Sequence, residues 1–373
     1  MDLTDASKPL LDEFQVVLFG PGYGESTLIH IGSNKWIIVD SCKSRSIAGS
    51  LPLPIEYLRA IEVDPAESVS LIIATHWHDD HIKGLAQIVD LCPNATVSCS
   101  IALSNEEFIH NVVRFESGSN VRGGSGAREI VGVLELMKGR IMKRVLSGTI
   151  VKSFEGSELA HNEDVIVTAL SPSDKQVELF LNEIAQLGAA AGKTRYRASQ
   201  GKNDTSVVLW ISIGSLNLLL GADLEETSDP LTGWSVVLDS EGRSTGDKAT
   251  IYKVPHHGSI TGHSDQVWDK MIADDSIAIL TPFNRGRKKL PSETDRTRLT
   301  SLSDNTFLSQ CGTKAKKKLR DHTVEKTIRE TVGKLTNIQN EPGIISIKGN
   351  LKSSIDEWDV KLINGACRLQ NVV

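Results

Sequence analysis

Residues 74–84 read ATHWHDDHIKG, which puts three of the chain's ten histidines and two aspartates into positions 76–81. Imidazoles and carboxylates packed this densely repel or compete for protons unless something positive holds them together. They are also the donor types that hold divalent metals in hydrolases, neutral nitrogen and carboxylate oxygen. The preceding run, SLIIAT (70–75), is continuously apolar, as in a strand covered on both faces. A lone H-x-H arises by chance on many surfaces; H-x-H-x-D-H directly after a buried strand is a far more specific signal. His76 and His78 alternate along the end of an extended segment, so both rings point to one side. Asp80 and His81 begin the following helix and face a second site, at the roughly 3.5–4 Å spacing of two-metal centres.

Working outward, VVLFG (16–20) and KWIIVD (35–40) are short β-branched runs separated by turn residues, and read as adjacent strands. DDHIKGLAQIVDLC has helical spacing, with Asp79 or Asp80 as N-cap. FESGSNVRGGSGARE (115–129) reads as a Gly/Ser-rich loop, while 128–146 and 177–192 read as amphipathic helices. Strand-like runs follow at DVIVTALSP (164–172), TSVVLWISIG, LNLLLGAD, ATIYKVP, SIAILTPF, GIISIKGN (343–350) and EWDVKLI (357–363). Strands bunched toward both ends predict a layered α/β or α+β core. The expected organisation is one domain over 1–373, with a helical insertion around 100–200 and a basic segment at 285–330.

At 373 residues, 39% hydrophobic and 24% charged, the composition is that of a globular domain with a sizeable core. No apolar run reaches the ~20 residues of a membrane span, and MDLTDASKPLLDEF lacks the build of a secretory signal. Five scattered cysteines without CxxC spacing argue against a disulfide framework and for a reducing compartment, so the expected location is the cytoplasm. The net charge of −6 conceals an asymmetry: residues 285–329 hold 13 Lys or Arg against 5 Asp or Glu. Such a block on an acidic chain suits a polyanionic partner.

The cluster resembles the first ligand motif, HxHxDH, of the metallo-β-lactamase superfamily. Asp40 closes KWIIVDSC, Asp223 closes LNLLLGAD, and YKVPHHGS (252–259) supplies a late histidine motif, all in that superfamily's order. Within it the runs NDTSVVL, LLLGAD and KVPHHGS are most similar to the hydrolase domain of the ComEC competence proteins. The resemblance covers roughly 14–285, thinly over 100–160. It implies an αββα four-layer sandwich and two divalent ions, Zn²⁺ or Mn²⁺, with Mg²⁺ also open. It implies that His76 and His78 hold one ion, Asp80 and His81 the other, that Asp223 bridges them, and that His257 or His256 completes the second site, His257 being favoured. Asp40 would orient a ligand. A third-motif histidine is missing: His110 and His161 lie in the wrong contexts, leaving the first site short of a ligand.

A metal lowers the pKa of its water from 15.7 to about 7, so hydroxide is available at neutral pH, with Asp80 or Asp223 to accept the remaining proton. Lys253 could neutralise a phosphate or be a solvated lysine at a strand end. Ser259 and His263 are candidate substrate contacts, and Asn203 and Thr205 candidates to satisfy buried backbone groups. Arg285, Arg287, Lys288 and Lys289 are candidate nucleic-acid contacts, with Phe283 and Phe307 the only aromatic residues in the stretch. The expected activity is a metal-dependent phosphodiesterase or nuclease acting on DNA, or else on RNA or a nucleotide, working with a protein partner or as a homo-oligomer. The rival readings are a small ester or lactone hydrolase and a binding subunit weakened in catalysis.

Overall fold

The computed structural model describes residues 3–22, 24–44, 50–101, 125–189, 203–240, 242–244, 246–284, 289–311, 327 and 342–372. Strands alternate small sets of inward and outward apolar residues, which is what allows two sheets to stack with helices outside. The first sheet holds β1 (Glu13–Gly20), β2 (Ser26–His30), β3 (Trp36–Val39), β4 (Val69–Ala74), β5 (Thr96–Ser100), β6 (Met142–Val145), β14 (Gly343–Asn350) and β15 (Asp359–Ile363), in the order β15-β14-β1-β2-β3-β4-β5-β6. The second holds β7 (Thr149–Phe154), β8 (Val165–Ala169), β9 (Leu209–Ile213), β10 (Leu216–Leu220), β11 (Ala249–Lys253), β12 (Ile272–Leu280), β13 (Thr306–Leu308) and β16 (Cys367–Arg368), in the order β16-β13-β12-β11-β10-β9-β8-β7.

Period-2 alternation assigns each face. Val16, Leu18, Ile37, Val39, Leu71 and Ile73 point between the sheets and meet Val167, Ile211, Leu218, Ile251 and Ile279. Their neighbours Val17, Phe19, Trp36, Ile38 and Ile72 point outward, against α1 (Leu53–Ala60), α4 (Leu85–Leu91) and α5 (Ser125–Leu136) through Leu58, Ile88 and Val133. Likewise Trp210, Leu219, Tyr252, Ala278 and Leu280 cover the far face of the second sheet beneath α7 (Gly233–Asp239), α8 (Asp265–Met271) and α9 (Glu293–Leu302). Of the other helices, α2 is Pro65–Ser68, α3 Asp79–Ile82 and α6 Asp174–Ala189. The architecture is the expected αββα sandwich.

Several local expectations are corrected. The 128–146 helix stops at Leu136; Gly139 sits at φ 83°, and Met142–Val145 then pairs in parallel with β5. The stretch 100–200 is therefore not a helical insertion, because β6, β7 and β8 within it are strands of the two sheets. Much of the expected Gly/Ser loop, 115–124, lies outside the described residues, and the helix is under way at Ser125. At the motif, two short helices replace one: Gly84 at φ 94° divides them, and His78, not an aspartate, holds the N-cap position. Cys311 and Cys367 form a disulfide across 56 residues, a pairing the scattered cysteines gave no reason to expect, while Cys42, Cys92 and Cys99 are free and buried. The basic segment is not one unit either, since α9 and β13 within it pack on the second sheet. Among the described residues no helix is long and apolar enough to cross a membrane.

Candidate metal centre

Parallel pairing of β3 with β4 and of β10, β11 and β12 brings the C-terminal ends of strands from both sheets to one rim. Loops leaving such ends are where open α/β sheets place ligands. Here those loops carry Asp40, His76–His81, Asp223, His257 and Thr281. Each loop must reverse sharply to aim its side chain inward, and the backbone records it. Asp40, Ala222, His256 and His257 are all non-glycine residues at φ between 45° and 60°. Residues held there cost on the order of 1–3 kcal/mol each, and such strain concentrates at functional sites.

Three groups of donor atoms converge, each within 4.8 Å: His76, His78 and Asp223; Asp80, His81 and His257; Glu25, His81 and Asp223. His76 Nε2 lies 3.1 Å from His78 Nδ1 and 3.8 Å from Asp223 Oδ2. His257 Nε2 lies 3.6 Å from Asp80 Oδ2 and 3.7 Å from Asp223 Oδ2, so Asp223 stands between the two sets. The first set has no third histidine among the described residues: His161 binds the Ile31 carbonyl instead, and His110 lies outside them.

Asp40 does not join the donors. Its Oδ2 accepts from His81 Nδ1 at 2.7 Å and from the Thr75 hydroxyl at 2.7 Å, and its Oδ1 accepts from the Thr75 amide at 2.8 Å. This holds the His81 proton on Nδ1 and turns the Nε2 lone pair into the cluster. Thr281 O lies 3.2 Å from His257 Nδ1 and acts on that ring in the same way. The turn bearing His257 is braced by Arg298 from the basic segment, which donates to Gly258 O at 2.7 Å.

The electrostatics of the cluster suit a bound cation. Burial disfavours charge on His76, and neighbouring His81 and His78 add to that, so its pKa falls well below the usual range. Burial also opposes charge on His81, but Asp223 and Asp40 outweigh it and raise the pKa well above that range. His257 is raised the same way, by Asp223, Asp80 and Glu25 against burial. Asp80 and Asp223 are lowered despite burial, Asp80 by the hydrogen bond and charge of His257 together with the His81 charge, Asp223 by the charges of His81 and His257. Asp40 is raised, chiefly by burial. His81 Nε2 and Asp223 Oδ1 face each other at 3.4 Å, buried and without a hydrogen bond of good geometry. Two orphaned buried donor atoms, one imidazole and one carboxylate, are what a divalent ion would satisfy. The residues fit the metals that the sequence implies.

Glu25 escaped the sequence reading. It is 3% exposed, pairs with the Lys253 ammonium and the Thr281 hydroxyl, and lies 3.8 Å from His81 Nε2. Its signal was the glycine run before it. Gly24 sits at φ 132°, where a Cβ would come within 2.0 Å of Asp80 O, so only glycine lets the β1–β2 turn lie against the motif. Glu25 N then donates to Asp80 O at 2.8 Å.

Lys253 is not solvated but 3% exposed, donating to Ala222 O at 2.8 Å and lying 3.9 Å from Asp223 Oδ1. Burial opposes its charge, yet Glu25 and Asp223 raise its pKa. His256 belongs to none of the donor groups. Its ring binds the Thr261 hydroxyl at 2.8 Å and lies 3.3 Å from Glu225 Oε1, turned from the cluster by its own left-handed backbone. The Asn203 side chain binds Glu225 at 2.6 Å, and Thr205 Oγ1 is buried with no hydrogen-bond partner among the described residues. Ser259 caps the next turn through Thr261 N, and His263 binds Asp265 at 2.9 Å, so both serve local structure. Lys289 is exposed; Arg285, Arg287 and Lys288 lie outside the described residues.

A cleft opens onto the cluster, lined by Pro21, Gly22, Gly24, Asp80, His257, Thr281, Pro282, Phe283 and Asn284. A family model described as the metallo-beta-lactamase superfamily matches residues 19–267. Among solved structures, the metallo-beta-lactamase fold protein YhfI from Bacillus subtilis is similar at 12% identity, with 80% of this chain and 95% of that one covered and a TM-score of 0.39. A metallo-beta-lactamase of Cronobacter sakazakii with a HARLDQ motif is 13% identical over 64% of this chain and 76% of its own, TM-score 0.34. MEM-A1, a subclass B3 metallo-beta-lactamase from a soil metagenome library, is 16% identical over 69% and 84%, TM-score 0.32. No curated protein matches the chain.

Proposed function

This chain belongs to the metallo-beta-lactamase superfamily, and from that premise we propose that it is a metal-dependent phosphodiesterase of the ComEC-like kind that cleaves nucleic acid, DNA in the first instance. The observation that carries this reading is the donor cluster in a cleft lined by Phe283 and Asn284, which the sequence RGRKK follows directly in the chain. A cationic run so close in sequence to the cleft lining suits a polyanionic backbone. A small ester or lactone would instead call for an enclosed apolar pocket, and here the described lining sets Asp80, His257, Thr281 and Asn284 beside Pro21, Pro282 and Phe283 in an open cleft.

His76, His78 and Asp223 would hold one ion, and Asp80, His81 and His257 the other, with Asp223 shared and Glu25 within reach of the second. Ions bound there supply Lewis acidity and an acidified water. The chain's own residues do the rest. Asp40 and the Thr281 carbonyl fix the tautomers of His81 and His257. Lys253 pairs with the Glu25 carboxylate and holds it in place. Asp80 lines the cleft while Asp223 is buried beneath it, so Asp80 is the carboxylate able to take a proton from the attacking water.

The test is incubation of purified protein with linear, plasmid and single-stranded DNA, RNA and bis-p-nitrophenyl phosphate, with Mn²⁺, Mg²⁺ or Zn²⁺. Hydrolysis is expected with at least one ion and is lost in His78→Ala and Asp80→Ala. No turnover on any phosphodiester, or turnover that survives in both variants, overturns the assignment.

A further inference from the structure

We propose that Phe283 is a stacking platform for the nucleobase beside the scissile phosphate, an inference that rests on the nuclease reading. The two aromatics of the basic region have different surroundings. Phe307 is 5% exposed and packs in the core between the sheets, with the Arg368 guanidinium 5.3 Å from its ring centroid. Phe283 is half-buried and lines the cleft; its ring centroid lies 5.2 Å from that of His257 with the planes inclined by 34°. An aromatic ring against one of the proposed metal ligands, and open to the cleft beside Asp80, is well placed to meet whatever is attached to a phosphate held there.

Its position is fixed. Phe283 and Leu290 exchange two backbone hydrogen bonds, at 2.8 and 2.9 Å, which hold the platform in place. The cleft is also lined by Gly22 and Gly24. A Cβ on Gly22 would come within 2.3 Å of Lys43 O and one on Gly24 within 2.0 Å of Asp80 O, so these two positions can present only backbone. The ring of Phe283 thus shares one cleft with Gly22, Gly24, Asp80 and His257. Because every base has a π-face, the platform selects for the presence of a base rather than its identity.

The experiment compares a single-stranded DNA oligonucleotide with the same strand built from base-free tetrahydrofuran nucleotides, measuring kcat/KM with Mn²⁺ and counting Mn²⁺ bound per chain in each preparation. Wild type is expected to favour the base-bearing strand by about 5- to 150-fold, which is roughly 1–3 kcal/mol of stacking at 1.4 kcal/mol per tenfold. Phe283→Ala is expected to lose that preference with its Mn²⁺ count unchanged, and Phe283→Trp to keep it. A wild type that cleaves both strands equally overturns the platform and leaves the nuclease intact. A Phe283→Ala that keeps the preference, or that loses rate on both strands equally together with Mn²⁺, overturns it too, the latter making Phe283 a prop for His257. A wild type that cleaves neither strand removes the nuclease reading and the platform with it.

Discussion

Replacing Asp40 with Asn keeps the shape of the side chain and removes one acceptor, which makes it a sensitive probe of how the cluster is poised. Both carboxylate oxygens of Asp40 are engaged as acceptors: Oδ1 by the Thr75 amide, Oδ2 by the Thr75 hydroxyl and His81 Nδ1. An amide group must place its NH₂ at one of these two positions. At the Oδ1 position it faces the Thr75 N–H, two donors in a buried place. At the Oδ2 position it faces His81 Nδ1 and drives the proton onto Nε2, the atom 3.4 Å from Asp223 Oδ1 that an ion would bind. Leaving one buried donor unmatched costs about 1–3 kcal/mol in the metal-free fold. Loss of the orienting carboxylate costs about 10- to 100-fold in metal affinity. Titration calorimetry of Mn²⁺ or Zn²⁺ against wild type and Asp40→Asn reads the affinity, and urea unfolding with chelator reads the fold. A variant that binds metal as tightly as wild type while unfolding at the same urea concentration would refute the role given to Asp40.

Two further outcomes are expected. Lys253→Met removes the ammonium beside Glu25 and Asp223 and strands a buried carboxylate. The metal-free protein should lose roughly 3–5 kcal/mol in urea unfolding, with part restored by added Mn²⁺, whereas a loss under 1 kcal/mol contradicts the pairing. Burial lowers the His30 pKa from 6.5 to about 4, and its neutral tautomer is fixed because Nδ1–H donates to Glu13 O at 2.9 Å while Nε2 accepts from Asn34 N at 3.1 Å. The unfolded chain therefore binds the extra proton first: the His30 contribution to stability is intact above about pH 6.5 and is lost as pH falls toward 4, about 3 kcal/mol in all. Urea midpoints of wild type and His30→Gln between pH 4 and 7 should converge or cross over that window, and a gap independent of pH rules this out.

What could be read in the chain and what could not follows from the range of the interaction concerned. The strands were legible because Val16, Leu18, Ile37, Val39, Leu71 and Ile73 alternate with Val17, Ile38 and Ile72, and a period of two is a local property. The 76–81 cluster was legible because a strand end concentrates its ligands in six positions. The end of helix α5 was misplaced because amphipathic spacing continues past Leu136, while the competing force, pairing of 142–145 with β5, is tertiary. The Cys311–Cys367 bridge joins residues 56 apart and left no spacing to read.

Glu25 and Lys253 show the same limit at the site itself. Each reads alone as a charged residue near a turn or strand end, and solvation is the ordinary expectation for it. Folding puts them together in a place that admits neither singly, because a buried ammonium and a buried carboxylate are each untenable without the other. Their meeting requires β1–β2 and β11, from different sheets, to bring their ends to one rim, and it requires Gly24 to let the first turn close on Asp80. A lysine kept dry beside three carboxylates supplies, within the protein, part of the positive charge the cluster needs. That charge offsets part of the repulsion among the carboxylates and so helps hold the donors of the cluster together.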